Sequence, residues 1–272
     1  MILVRTTTLD PETVAFGHRL GAASGQPVSF IVDERNGPVA GPVDKVSLTE
    51  AACRGLELFC PSDFAWRCGD YGLYLARAAH RDATHFWMIE NDVRFVGGDM
   101  EQFFAFFEAK DADLLAGYLK PATADWYWTH HASSRDSAAY RCFFPVTRFS
   151  ARALDVLLAK RVEHSRRLMR RAIWPNDEAF VATTLTAAEL DCRDFNDFGQ
   201  TFYDPESFSF RNVFNGADFS AEHSELRMYH PVLFGDAYAR KMEKLHSPKN
   251  LDTPTMRRKR RVLSEINART RW

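Results

Sequence analysis

Residues 85–95 read HFWMIENDVRF: four apolar side chains, Phe86 to Ile89, run directly into Glu90, Asn91 and Asp92 with no Gly or Ser turn between them. A short apolar run with polar ends is the pattern of a strand buried on both faces. Residues two apart on a strand share a face, so Glu90 and Asp92 are predicted to project together while Asn91 points the other way. In open α/β sheets the ligand crevice lies just beyond the carboxyl ends of the strands. Two carboxylates side by side there repel, and a divalent cation is the simplest relief. Mg²⁺ or Mn²⁺ takes oxygen ligands and shares them with substrate phosphates. The plain alternative is a solvated loop in which the two acids pair with Arg94 or another surface base.

Upstream of this stretch, β-rich runs alternate with helical patterns, the signature of βαβ units and a mostly parallel sheet. ILVRTTT is the first strand. Asp10 and Pro11 make a cap and first-turn pair for a helix reaching about Ala23, and VSFIVDE from Val28 is a second buried strand. A third short strand at Lys45 to Leu48 leads to a helix from Thr49, followed by an irregular CPSDFAWRC. Asp70 opens the clearest helix, with Tyr71, Tyr74, Leu75, Ala78 and Ala79 on one apolar face. Downstream come the phenylalanine-rich helix MEQFFAFFEAK, a strand at DLLAGYL, an aromatic loop or strand at DWYWTHH, and a strand at RCFFPVTRF. Ser150 caps the next helix, and another follows WPNDE. From Asp191 to Pro231 the pattern is one of loops and short strands, and no internal repeat is found.

With 272 residues and 46% hydrophobic content, the chain can bury one large α/β core. Its 35 basic and 36 acidic residues give no global excess of the kind nucleic-acid partners require. The charge is uneven, however: residues 249–272 carry a net +6 and the remainder a net −7. The chain is therefore divided into a domain at 1–248 and a basic tail at 249–272. Its five cysteines contain no C-x-x-C and read as small core residues in a reducing compartment. MILVRTTTLD is too short an apolar run for a secretion signal, and no segment offers the ~20 apolar residues of a membrane span, so a cytoplasmic location is expected.

The phrase WRCGDYGLYLARAAHRDATHFWMIENDVRF, read as helix, turn, buried strand and acid motif, resembles the GT-A class of nucleotide-sugar glycosyltransferases, and especially the subset whose motif is E-x-D-V-R-[FY]. The likeness extends from about Ile2 to Phe234. It implies a GT-A (Rossmann-like) α/β fold with a mixed, mostly parallel central sheet flanked by helices. It also implies that Asp92, with Glu90, holds a Mn²⁺ or Mg²⁺ ion on the donor diphosphate; because the first acid is Glu, it contacts the metal, ribose or water. By the same resemblance Asp33 stands near the base or ribose, and Arg67, Asp70 and Asn91 near the nucleotide. Asp70 is also a good helix cap in its own right, and Arg67 could be a surface ion pair.

Glycosyl transfer with inversion needs a carboxylate to accept the proton of the acceptor hydroxyl. WPNDEAF supplies Asp177 and Glu178 at a helix start, where the helix dipole favours the ionised form; Asp177 is preferred as base, with Glu178 next. The resemblance assigns His230, in RMYHPV, to the metal's shell, whereas the adjacent His130 and His131 make a poor chelate. Trp126, Tyr127 and Trp128 offer faces for an acceptor sugar or for core packing. RRKRR at 257–261 is a solvated charge run or a contact for anionic lipid at the inner membrane face. The expected partners are a nucleotide-sugar donor, UDP before GDP, and a glycan or lipid-linked acceptor. Two rivals stand beside this reading: a sugar nucleotidyltransferase, against which the glycine-free VRTTTLDPET argues, and a non-catalytic binding module of the same fold.

Overall fold

Phe86, Trp87, Met88 and Ile89 are each no more than 1% exposed, because the sheet they occupy is covered on both faces. In the computed structural model, which describes residues 1–133, 138–219 and 225–246, the chain begins β1 (Ile2–Thr6), α1 (Pro11–Ser24), β2 (Val28–Asp33), β3 (Lys45–Leu48), α2 (Glu50–Gly55), α3 (Phe64–Arg67), α4 (Asp70–Ala79), β4 (His85–Glu90). It continues β5 (Arg94–Val96), α5 (Met100–Glu108), β6 (Leu114–Pro121), α6 (Thr129–Ala132), β7 (Tyr140–Ser150), α7 (Ala151–Ser165), α8 (Leu168–Ala172), α9 (Asp177–Ala187), β8 (Cys192–Asp194). Three short strands, β9 (Phe214–Asn215), β10 (Arg227–Tyr229) and β11 (Val232–Leu233), precede α10 (Gly235–His246). The basic tail at 249–272 lies outside the described residues.

The main sheet has seven strands in the order β3-β2-β1-β4-β7-β6-β8. The first four are parallel; β7 runs antiparallel to both its neighbours, and β8 is parallel to β6. This is the mixed, mostly parallel sheet with flanking helices expected from the sequence. Phe86 and Met88 face a layer built from α4, α7 and α9, whereas Trp87 and Ile89 face α1 and α5. The phenylalanines of α5 therefore serve the core, where Phe103, Phe104 and Phe107 surround Trp87 with ring centroids 5.7, 5.2 and 6.2 Å away.

Side chains close the helix starts as the sequence indicates. Asp10 accepts from the Thr13 N–H, Thr49 from Ala52, Ser150 from Ala153, and Asn176 from Ala179. Three local expectations are corrected. CPSDFAWRC is not wholly irregular but contains α3, and the aromatic segment after Asp125 turns into α6 instead of forming a strand. Asp70 is not the cap of α4, since Gly69 occupies that position.

Asp70 is instead wholly buried opposite the equally buried Arg161 of α7. The guanidinium meets both carboxylate oxygens, Nε to Oδ2 at 2.7 Å and Nη2 to Oδ1 at 3.1 Å, and Tyr74 donates its hydroxyl to Oδ2. The remaining Nη1 donates to the Pro175 carbonyl, and the guanidinium lies 3.7 Å from the centre of the Phe180 ring. Two charges taken out of water cost several kcal/mol each unless they are well bonded, and here each guanidinium nitrogen and both carboxylate oxygens have a partner. Removing one partner strands the other, so Asp70→Asn is expected to lower the unfolding free energy by ~3–5 kcal/mol. Denaturant titration checks this, and the double variant Asp70→Asn/Arg161→Met should lose less than the sum of the singles.

Candidate metal and donor site

Strand β4 ends at Glu90, and Asn91 and Asp92 form the turn that follows it. The two acids therefore do not meet through the two-residue period of a strand, as the sequence suggested, but through this turn. The Asn91 N–H donates to the Arg5 carbonyl and the Val93 N–H to that of Glu90, which folds the chain back towards β5. There β10 pairs with β5, setting Tyr229 opposite Arg94, and the Val232 N–H donates to the Asp92 carbonyl at 2.7 Å. Those contacts seat His230 over the turn. Its Nε2 lies 3.4 Å from Glu90 Oε2 and 3.4 Å from Asp92 Oδ1. One ligand atom from each of the three side chains falls within 4.8 Å of the others.

Sequence reasoning passed over Arg5. Its Nη1 donates to Glu90 Oε1 at 2.7 Å and its Nη2 to the Ala65 carbonyl, which fixes one Glu90 oxygen and leaves Oε2 directed at His230. A charged residue interrupting an apolar strand near its carboxyl end was the signal available for it. Arg94 forms its ion pair with Glu12 instead of with the acid pair, and lies over Phe16 and Phe234.

Burial would raise the Glu90 carboxyl, but the charges of Arg5 and His230 outweigh it and hold the carboxyl below its ordinary range. Burial, reinforced by repulsion from Glu90, pushes Asp92 upward against the pull of His230. For His230 the two acids outweigh burial and raise the imidazole. Asp92 Oδ1 is shut off from solvent and has no hydrogen-bond partner. An orphaned carboxylate oxygen beside a second carboxylate and an imidazole is a donor set that a divalent cation satisfies. The oxygens suit Mg²⁺ or Mn²⁺, and the nitrogen tilts the fit towards Mn²⁺.

These residues line a crevice of about 510 Å³ together with Asn176, Asp177 and Glu178. The Asp177 carboxylate accepts the Gly69 N–H on Oδ2 and the Glu178 N–H on Oδ1, so it joins α9 to the start of α4. Gly69 has no room for a side chain: a Cβ there would sit 2.6 Å from Asp177 Oδ2 and 2.7 Å from Arg5 Nη1. Burial raises Asp177 to about 7, against the pull of Arg5, and burial together with Asp177 raises Glu178 to about 8. The helix dipole expected to keep these acids ionised is thus overridden by desolvation. Asp177 is buried with both oxygens engaged, whereas Glu178 is half-buried and opens into the crevice.

A smaller hollow of about 180 Å³ shares Arg5, Glu90 and Asp92 with the crevice and adds Asp33 and Asn91. Asp33 is held there by two bonds from Arg35, at 2.9 and 2.8 Å, and Asn91 donates to Thr13 Oγ1. Arg67 and Asp70 line neither hollow, which corrects the expectation that both touch nucleotide. Arg67 pairs with Asp63 at 2.7 Å and covers the Trp128 ring, while Asp70 is consumed by Arg161. Of the three aromatics, Trp126 faces a neighbouring hollow, and Tyr127 and Trp128 pack with each other and with His131.

No family model and no curated protein matches the chain. Among solved structures it is similar to the galactosyltransferase LgtC in complex with donor and acceptor sugar analogues, at 9% identity and a TM-score of 0.41 over 66% of this chain and 68% of that one. It is also similar to a glycosyltransferase involved in glycosylation of the major capsid of PBCV-1, at 12% identity and a TM-score of 0.32 over 60% and 66% of the two chains.

In the unfolded chain Asp177 and Glu178 ionise near the ordinary carboxyl value, but in the native protein only near pH 7 to 8. Native stability from this pair is intact below the ordinary value and is lost as pH rises through the native ones. Glu178→Gln should therefore gain melting temperature relative to wild type between pH 5 and pH 9. Scanning fluorimetry across that range is the check, and a difference that does not change with pH would contradict the assignment.

Proposed function

We propose that the protein is a metal-dependent glycosyltransferase that moves a sugar from a nucleotide-sugar donor to a hydroxyl on a glycan or lipid-linked acceptor. The observation that carries this reading is the meeting of Glu90, Asp92 and His230 at the carboxyl end of the central strand, in a crevice that Glu178 also lines. Asp92, His230 and Glu90 Oε2 would hold the cation, Mn²⁺ or Mg²⁺. When bound, such a cation offsets the charge that builds on a departing nucleotide diphosphate.

The chain's own groups supply the rest. Arg5 keeps Glu90 ionised and turned towards His230, so the acid pair faces the crevice instead of relaxing into solvent. Asp33 and Asn91 line the small hollow on the far side of the acid pair, a place suited to ribose and base, UDP being favoured over GDP. Glu178 accepts the proton of the acceptor hydroxyl, a role that suits a carboxyl whose pKa lies near the working pH. Asp177, the base preferred from sequence, becomes a positioning residue, because backbone N–H groups already occupy its oxygens. A carboxylate base lining the same crevice as the metal ligands is the group that an inverting transfer requires. Among the described residues no helix is long and apolar enough to cross a membrane, and contact with an anionic membrane surface is assigned to the basic tail.

Incubation with UDP- and GDP-sugars in the presence of Mn²⁺ should release nucleoside diphosphate, and chelation should stop it. Asp92→Asn is expected to abolish Mn²⁺-dependent binding of UDP. Glu178→Gln should retain that binding and lose ~10²–10⁴-fold in transfer rate. If neither UDP nor GDP, with Mn²⁺ present, stabilises the wild-type protein or is released from its sugar, the glycosyltransferase reading is wrong.

A further inference from the structure

Another hollow, of about 370 Å³, opens beside the crevice and shares Phe143, Glu178 and Phe210 with it. Its remaining wall is basic and aromatic: Lys120, Arg141 and Arg211 stand around Tyr118 and Trp126. Lys120 and Arg141 are direct partners in the β6–β7 pairing. Like charges directly opposite each other on adjacent strands are destabilising, so two cations in register need something between them. Among the described residues none of the three cations forms an ion pair with a carboxylate.

Two further groups in this wall lack a partner. The Arg141 Nε and the Tyr118 hydroxyl are both shut off from solvent with no hydrogen bond. A buried donor without an acceptor is destabilising, so native structures seldom keep two together without reason. The backbone is also strained at this point. Tyr118 has a φ of 54°, in the left-handed region that a non-glycine residue rarely adopts, where the β6–β7 register shifts between Gly117 and Lys120. The Arg141 guanidinium lies over the Trp126 ring at 5.9 Å, and Phe210 is 74% exposed at the junction of the two hollows. Flat apolar rings beside unpaired cations match a pyranose that carries an anionic group.

We propose that this hollow is the acceptor subsite and that it takes a saccharide bearing a carboxylate or phosphate, held by Arg141, Lys120 and Arg211 and stacked on Trp126. The direction of the bound sugar's hydroxyl towards Glu178 rests on the glycosyltransferase reading; the binding itself does not. Of the two acids in the lining, neither pairs with these cations: Glu206 accepts from Asn212 and Glu178 from Asn176.

The test is a calorimetric titration, free of metal and nucleotide, of the full-length protein with digalacturonate, N-acetylglucosamine 1-phosphate and lactose. At least one acidic probe is expected to bind about ten-fold or more tighter than lactose, and the identity of that probe separates carboxylate from phosphate. Arg141→Gln should remove the preference and Arg141→Lys keep part of it. If Arg141→Gln does not fold, the exposed pair Lys120→Gln/Arg211→Gln should weaken the acidic probe in the same direction. Lactose binding as tightly as both acidic probes, or an acidic probe bound undiminished by the charge-removed variants, would overturn the proposal. Because no donor is present, failure here leaves the donor reading untouched, and failure of nucleotide release leaves this binding result standing.

Discussion

The buried pair of Asp70 and Arg161 is the joint on which the site depends. Through it α4 and α7 are locked together, and the spare guanidinium nitrogen reaches the Pro175 carbonyl immediately before the Asn176 cap of α9. Gly69, the residue before Asp70, then donates its N–H to Asp177. A single cation thus sets the start of α9 against the start of α4 and decides where Asp177 and Glu178 stand relative to β1 and β4. The electrostatic cost of such a pair is met by saturation: two oxygens, a tyrosine hydroxyl, a carbonyl and an aromatic face leave little unsatisfied.

The crevice beyond this joint is a balance of charges that do not cancel. Arg5 serves two walls at once, bonding Glu90 directly and drawing Asp177 downward in pKa across the narrow gap at Gly69. What is left over is an acid-rich edge at Asp92 and His230 and a half-open Glu178 whose carboxyl burial raises. Both features suit a site that acquires positive charge from outside, because a cation at the acid edge meets the orphaned Asp92 oxygen. The most voluminous hollow described, about 860 Å³ around Gln102, Phe106 and Gln200, has no comparable convergence of acids, so volume alone does not mark the site.

Glu178 lies in the walls of two hollows of opposite character, one edged by Glu90 and Asp92, the other by Lys120, Arg141 and Arg211. In the proposed reading Glu178 is the proton acceptor, and its place between the two hollows is where a group leaving one ligand would meet a nucleophile on another. The left-handed Tyr118 and the like-charged pair Lys120 and Arg141 both lie in the wall of the second hollow.

The sequence by itself determined the sheet and its central strand. Local hydrophobic runs suffice for that, since Phe86 to Ile89 can be hidden only between two layers, and Asp10, Thr49 and Ser150 announce their helices through their own side chains. It also brought forward Glu90, Asp92, His230, Asp177 and Glu178, by the acid pair after a buried strand, the acids at a helix start and the resemblance. What it could not determine were partnerships between residues far apart in the chain. Asp70 seemed a cap and proved to be the counter-ion of a residue 91 positions away, Arg5 went unnoticed although it orients Glu90, and Arg67 was spent on Asp63. The pKa order also reversed, because a helix dipole is local and readable, whereas desolvation depends on everything packed around the carboxyl. Only the tertiary structure decided which charges were already satisfied, and therefore which remained free for chemistry.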